Sequence, residues 1–256
     1  MENQDLRQFD GHAAPVPDVV IRRLSQYARL SPAEESLLAA LAANAHEVSA
    51  GAHLLAENEA LNRPRLMLAG WGCRFRTLSD GRRQIFEFIL PGDIYGLSHR
   101  PAATAPAAAV ALTRCTIAEA DGLGEAVLDA PGTHPGLVAA CAKVASLDEA
   151  WMLNQLMRVG RQNAYERLAH LFLEISHRLE TVGLADDGRI SMPLTQEIIA
   201  DAMGLSVVHL NRTLQQLRRE GLIEFKNGTV KILKPDTLAA IADFRTPEVA
   251  ARPTAH

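Results

Sequence analysis

Residues 194–206 constrain the fold of this chain more tightly than any other stretch. Thr195 stands where a cap begins a short helix, whose apolar face is Ile198, Ile199, Ala202 and Met203. Ala200 is small at the place where a second helix must approach closely. Gly204 then supplies a turn with positive φ at no Cβ cost, and Ser206 caps a second helix running to about Glu220. Leu210, Leu214 and Leu217 form the inner stripe of that helix, leaving Val207, Val208, His209, Asn211, Arg212, Gln215 and Arg218 outward. Gly221 stops it. Leu222–Phe225 and Thr229–Leu233 flank Lys226-Asn227-Gly228, an Asn-Gly hairpin signal.

Two helices joined by a turn of about three residues, followed by a hairpin, predict a winged helix-turn-helix. In that geometry the second helix enters the major groove of DNA with its N-terminal residues near base edges. Charge alone does not reveal this, because the net charge is −4. The distribution is more informative: within 204–226, Arg212, Arg218, Arg219 and Lys226 face only Glu220 and Glu224. So small an excess predicts a shallow salt slope for DNA binding.

Upstream the texture differs. Ser31-Pro32-Ala33-Glu34 starts a helix reaching about Ala43. From Glu47 to about Ala120, short β-rich runs (Arg65–Ala69, Cys73–Leu78, Gln84–Leu90 and Val110–Ala118) are punctuated by turns at Ser79-Asp80-Gly81 and Pro91-Gly92-Asp93. Pro101–Ala109 reads as an Ala/Pro-rich inserted loop. Strands at this spacing predict a small barrel or double-stranded roll. A long helix follows from about Pro135 to Val159, with Val138, Ala142, Ala145, Met152, Leu156 and Val159 near three-four spacing. About 25 helical residues span roughly 37 Å, more than one small core needs, so a coiled-coil-type dimer seam is expected. Gly160 reads as a hinge before a further helix over Asn163–Val182, stopped by Gly183.

No run approaches the ~18–20 apolar residues of a membrane span. The N-terminal residues, with Glu2, Asp5 and Asp10, carry no apolar signal core. Cys73, Cys115 and Cys141 are odd in number and widely spaced, which predicts reduced thiols in the cytoplasm. A Gly-rich phosphate loop, metal-spaced His/Cys set or nucleophile elbow is missing, so an enzyme is not expected.

At this point the residues resemble a known family. Gly160–Ala169 and the helix-turn-helix through Ile223 closely resemble the Crp/Fnr family of bacterial transcription regulators. Leu68-Ala69-Gly70, Asp80–Ile85 and Pro91–Leu97 resemble its sensory domain. The resemblance implies an α+β architecture: an N-terminal β-roll of cyclic-nucleotide-binding type (a double-stranded β-helix), a dimerisation helix and a C-terminal winged helix. The expected divisions are a variable lead-in over 1–30, the roll over 31–131, the dimerisation helix and hinge over 132–160, the winged helix over 161–235, and a C-terminal helix and tail over 236–256. The implied partners are a near-palindromic double-stranded operator, a second copy of the chain and, for an activator, RNA polymerase.

The departures from the family pattern shape the rest. Members that bind cyclic AMP carry a Glu where this chain has Leu97, and an Arg-Ser pair where it has Ala105-Pro106. A buried phosphate without a cation loses its main source of binding energy, so cyclic nucleotide is not expected. No Cys precedes Cys73, which removes the cysteine group of the iron–sulfur members. Haem would have to use His46, His53 or His99 and is not expected either. Cys73 and Cys115 would form a redox pair only if adjacent strands joined them; two small buried hydrophobes is the favoured reading. In the recognition helix, Arg212 is retained for bidentate contact with guanine. Val207 and Val208 replace polar base readers, and His209 and Asn211 are added. Thr195, Gln196, Ser206 and Lys226 are the expected phosphate contacts. A rival reading is a regulator without a small-molecule effector, or a winged helix that binds protein and is controlled by abundance or partner.

Overall fold

The computed structural model describes residues 18–98, 103–130 and 132–247. Eight strands build the roll: β1 (His46–Val48), β2 (His53–Leu55), β3 (Asn62–Ala69), β4 (Gly72–Thr77), β5 (Arg83–Ile89), β6 (Ile94–Leu97), β7 (Ala108–Ala111) and β8 (Cys115–Glu119). They form two antiparallel four-stranded sheets, ordered β1-β8-β3-β6 and β2-β7-β4-β5. Leu54, Met67, Ile89, Tyr95, Ala109 and Ile117 fill the space between them. Alternation along β3 sends Leu66 and Leu68 outward, to a second core under the helices, and Met67 inward. Gly70, at φ +84, closes the β3–β4 turn where a Cβ would sit 2.3 Å from the Arg114 carbonyl oxygen, so no other residue fits.

Four helical pieces cover the first sheet: α1 (Asp18–Ser25), α2 (Pro32–Ala43), α3 (Asp121–Gly124) and the start of α4 (Pro135–Arg161). A single π-type turn, Glu125–Asp129, links α3 to α4. Ser31 caps α2 in a capping box with Glu34. The Glu34 carboxylate also accepts from the backbone N–H of Leu137 at 3.0 Å, in the first turn of α4. Burial alone would raise its pKa, but the backbone donors of Ser31, Leu137 and Gly136 outweigh burial and hold it below the usual range.

The last unit contains α5 (Ala164–Thr181), a short hairpin of β9 (Ala185–Asp186) and β10 (Arg189–Ser191), α6 (Gln196–Met203), α7 (Val207–Arg219), β11 (Ile223–Lys226), β12 (Thr229–Ile232) and α8 (Pro235–Ala242). Its sheet runs β11-β12-β10-β9. Its core is continuous with the outer face of the second roll sheet, where Trp71, Cys73, Ile85 and Phe88 pack with the apolar side chains of α5, α6 and α7.

Several expectations change. Residues 18–30 are no lead-in, because Val19, Val20 and Leu24 put one face of α1 into the core. Residues 1–17 lie outside the described residues. The run Val110–Ala118 is two strands broken at Leu112–Arg114, because the chain crosses there from one sheet to the other. Part of the expected loop, Ala108–Ala109, is strand. A division at 235/236 would cut a packed unit, since α8 starts at Pro235 and inserts Leu238 and Ala242 into the winged-helix core. Gly160 does not break α4, which continues to Arg161. The chain turns at Gln162 (ψ 145°), and Asn163 caps α5 in a second capping box.

A buried ionic seam joins these parts. Asp93, in the turn after β5, accepts from the Leu90 backbone N–H at 2.7 Å and from Arg178 at 2.6 Å, and it pairs with Arg23 of α1. Glu174 pairs with Arg158 of α4 at 2.7 Å and with Arg178 at 3.6 Å. Burial, with the Arg158 guanidinium nearby, lowers the pKa of His170 to about 4, leaving it neutral near pH 7.

Candidate nucleic-acid interface

The helix-turn-helix is built as its caps dictate. The Thr195 hydroxyl accepts from the Ile198 N–H at 3.3 Å, and the Ser206 hydroxyl accepts from the His209 N–H at 3.2 Å. Each hydroxyl still has its own proton to donate. Gly204 sits at φ +63, ψ +36, ending α6 in the left-handed conformation. A Cβ there would meet only Gln84 and Arg167 atoms beyond 3.5 Å, so the cost of substitution is conformational rather than steric. Gly204→Ala is expected to destabilise the fold by about 1–2 kcal/mol, measured as a shift of the denaturant midpoint. An unchanged midpoint would show that the turn relaxes freely.

The face presented by α7 is polar. Val208, His209, Arg212, Gln215, Gln216, Arg218 and Arg219 are exposed, and Asn211 is half-buried. Val207 departs from the expected outward set. It precedes Leu210, Leu214 and Leu217 on the inner stripe at three-four spacing, and it packs half-buried on the core. Thr195, Gln196 and Ser206 are exposed beside this face. In the wing, Asn227 (φ +51) and Gly228 (φ +68) form the tight turn that right-twisted strands require. Lys226 is exposed just before the turn. A cleft of about 530 Å³ between α7 and the wing is lined by Gln215, Arg218, Arg219, Glu224 and Lys226, among others. Arg219 was legible only as a charge. Its place in the cleft depends on how the wing folds back.

Helix α4 carries an apolar face of its own. The inner stripe of α4 includes Leu137, Ala140, Cys141, Val144, Leu147, Trp151, Gln155 and Arg158. Of the expected seam, Ala142, Ala145 and Leu156 are exposed, and Val138, Met152 and Val159 are half-buried. Glu149 completes the four-three spacing between Ala145 and Met152. Leu153 and Met157, which spacing alone did not single out, widen the stripe at 56% exposure each, beside Leu156 at 65%.

In the roll, Ala105 is fully buried with Ala109 and Ala111 against the interior, and Leu97 is half-buried at the end of β6. The Tyr95 hydroxyl is buried there without a hydrogen-bond partner. Cys73 on β4 and Cys115 on β8 belong to different sheets and different cores, so no adjacent strands join them. Burial pushes the pKa of Cys73 up to about 12, and raises that of Cys115. His46 and His53 are exposed, and His99 lies outside the described residues.

A β-roll packed on a winged helix-turn-helix defines the class: a transcription regulator with a DNA-binding helix-turn-helix behind a cyclic-nucleotide-binding-like domain. The cyclic nucleotide-binding domain family matches residues 45–122, and the Crp-like helix-turn-helix domain family matches residues 166–241. The nitrogen fixation regulation protein FixK of Bradyrhizobium diazoefficiens is 30% identical over 169 residues, covering 66% of this chain and 69% of FixK. The transcriptional activatory protein AadR of Rhodopseudomonas palustris is 26% identical over 91% of this chain and 87% of its own. The structure of FixK2 from Bradyrhizobium japonicum matches with a TM-score of 0.65 at 24% identity, over 81% of this chain and 98% of that one. The chain belongs to the Crp/Fnr family. These relatives are transcription regulators rather than enzymes.

Proposed function

We propose that the chain acts as a homodimer on a near-palindromic operator, each α7 reading one half-site, with centres about 34 Å apart. The observation that carries this reading is the pairing of two surfaces on one scaffold: a polar, exposed α7 face and an exposed apolar stripe on α4. In this reading Val208, His209, Asn211 and Arg212 meet base edges. Val207, half-buried, reaches the groove with its methyls only. Thr195, Gln196, Ser206 and Lys226 hold phosphates, joined by Arg218 and Arg219. RNA polymerase is a partner if the regulator activates. Among the described residues no helix is long and apolar enough to cross a membrane, and a cytoplasmic regulator is proposed.

We propose that the roll does not take a cyclic nucleotide. Its interior is apolar around Ala105, and the nearby Arg65 is engaged by Glu59 and Glu119. Among the described side chains around Ala105 none offers the anionic phosphate a free cation, and no step is assigned to it. Among the described residues no group of three or more His, Cys, Asp or Glu is placed to hold a metal ion.

Selection of DNA from a random pool by the purified chain tests the proposal, and a palindromic consensus is the expected result. Arg212→Ala should then cost ~1–3 kcal/mol at one base position. Equal weakening on every sequence would leave Arg212 a phosphate contact only.

A further inference from the structure

The C-terminal carbonyls of a helix need donors from outside it, and those of α6 find them on three other elements, α4, α5 and β5. The Ala202 carbonyl accepts from the side-chain amide of Gln155, on α4, at 2.8 Å, and from that of Gln84, on β5, at 3.3 Å. The Met203 carbonyl accepts from Arg167 at 2.8 Å. The same Gln155 nitrogen donates to the Ile85 carbonyl of β5 at 3.2 Å. Asp201, one residue earlier on α6, is paired with Arg83 at 2.8 Å.

Gln155 is 6% exposed, and the two hydrogens of its amide NH2 satisfy both carbonyls without burying a charge. It immediately precedes Leu156, the most exposed large side chain of the apolar stripe. Ala202 lies four residues before Ser206, the cap of α7. One side chain thus ties the helix bearing the seam to the helix that leads into the recognition helix, with the roll at the third corner.

We propose that Gln155 is a positioning residue for operator recognition: through Ala202 it sets the angle of α7 relative to the dimer seam, and hence the spacing of half-sites the dimer accepts. This rests on the homodimer reading. Each base pair inserted between half-sites turns one against the other by about 35°, so a rigid junction penalises insertion and a loose one tolerates it. Gln155→Met keeps the length of the side chain and removes both hydrogen bonds.

The test measures affinity of the full chain for its selected operator and for versions with the half-sites moved by one or two base pairs. The wild-type chain is expected to lose at least about tenfold on a one-base-pair insertion, and Gln155→Met less than about threefold, with base preferences inside each half-site retained. Uniform weakening at every spacing, together with a lowered Tm, would make Gln155 merely structural and overturn the proposal. So would an unchanged spacing profile. If Gln155→Met does not fold, Gln155→Asn takes over the test. It keeps a buried amide but draws it back from the Ala202 and Ile85 carbonyls, and a profile like that of the wild type overturns the proposal equally. A wild-type chain that selects single half-sites rather than paired ones overturns the dimer reading itself, and the positioning role falls with it.

Discussion

Replacing Leu156 with glutamate is expected to give a folded chain of monomer mass whose operator affinity falls by at least about a hundredfold. Leu156 is 65% exposed in the single chain, so folding does not require its side chain to be apolar. In the proposed dimer it meets its counterpart across the seam, and two carboxylates there would be buried without partners. A monomer keeps one half-site, and its affinity drops from the specific towards the non-specific range, a gap of roughly three decades or more. Light scattering gives the mass and gel shifts give the affinity. A dimer that survives the change would remove the seam from α4.

Asp93→Ala is expected to destabilise the fold by about 3–5 kcal/mol, read from the denaturant midpoint. The reason lies in what remains behind. Arg23 and Arg178 are both buried beside Asp93, and neither can return to water without moving α1 or α5. A buried pair contributes little net stability, but removing one partner strands the other, and that costs several kcal/mol. Asp93→Asn keeps the acceptor for the Leu90 N–H and should recover part of the loss. A change below about 1 kcal/mol would mean that Glu174, 3.6 Å from Arg178, and Asp148 of α4, 3.2 Å from Arg23, take over both cations.

The winged helix was legible because each of its features is local. Caps at Thr195 and Ser206, the left-handed Gly204 and the Asn227-Gly228 turn act over three or four residues, and the structure contains each of them. The β9–β10 hairpin had the same kind of signal in Asp187-Gly188, with φ values of +46 and +68, but its strands are two and three residues long, too short for an alternating pattern to register. Gly160 misled because its conformational freedom goes unused inside α4, where neighbouring hydrogen bonds carry the helix on to Arg161. Val207 stands at three-four spacing from Leu210, Leu214 and Leu217, and that spacing carried the signal for its half-buried place.

By itself the sequence determined the helix-turn-helix with its wing, the long helix α4 and the β3, β4 and β5 strands of the roll. Hydrogen bonds within a few residues and apolar spacing are enough for those. Only the tertiary structure decided what joins the parts. Arg23, Asp93, Glu174 and Arg178 are scattered charges in the chain and one seam in the fold. Gln155 is an unremarked amide until α6 brings the Ala202 carbonyl to within 2.8 Å of it. The contacts of Gln155 with Ala202 and of Asp93 with Arg178 span 47 and 85 residues of sequence, and no local rule reaches that far.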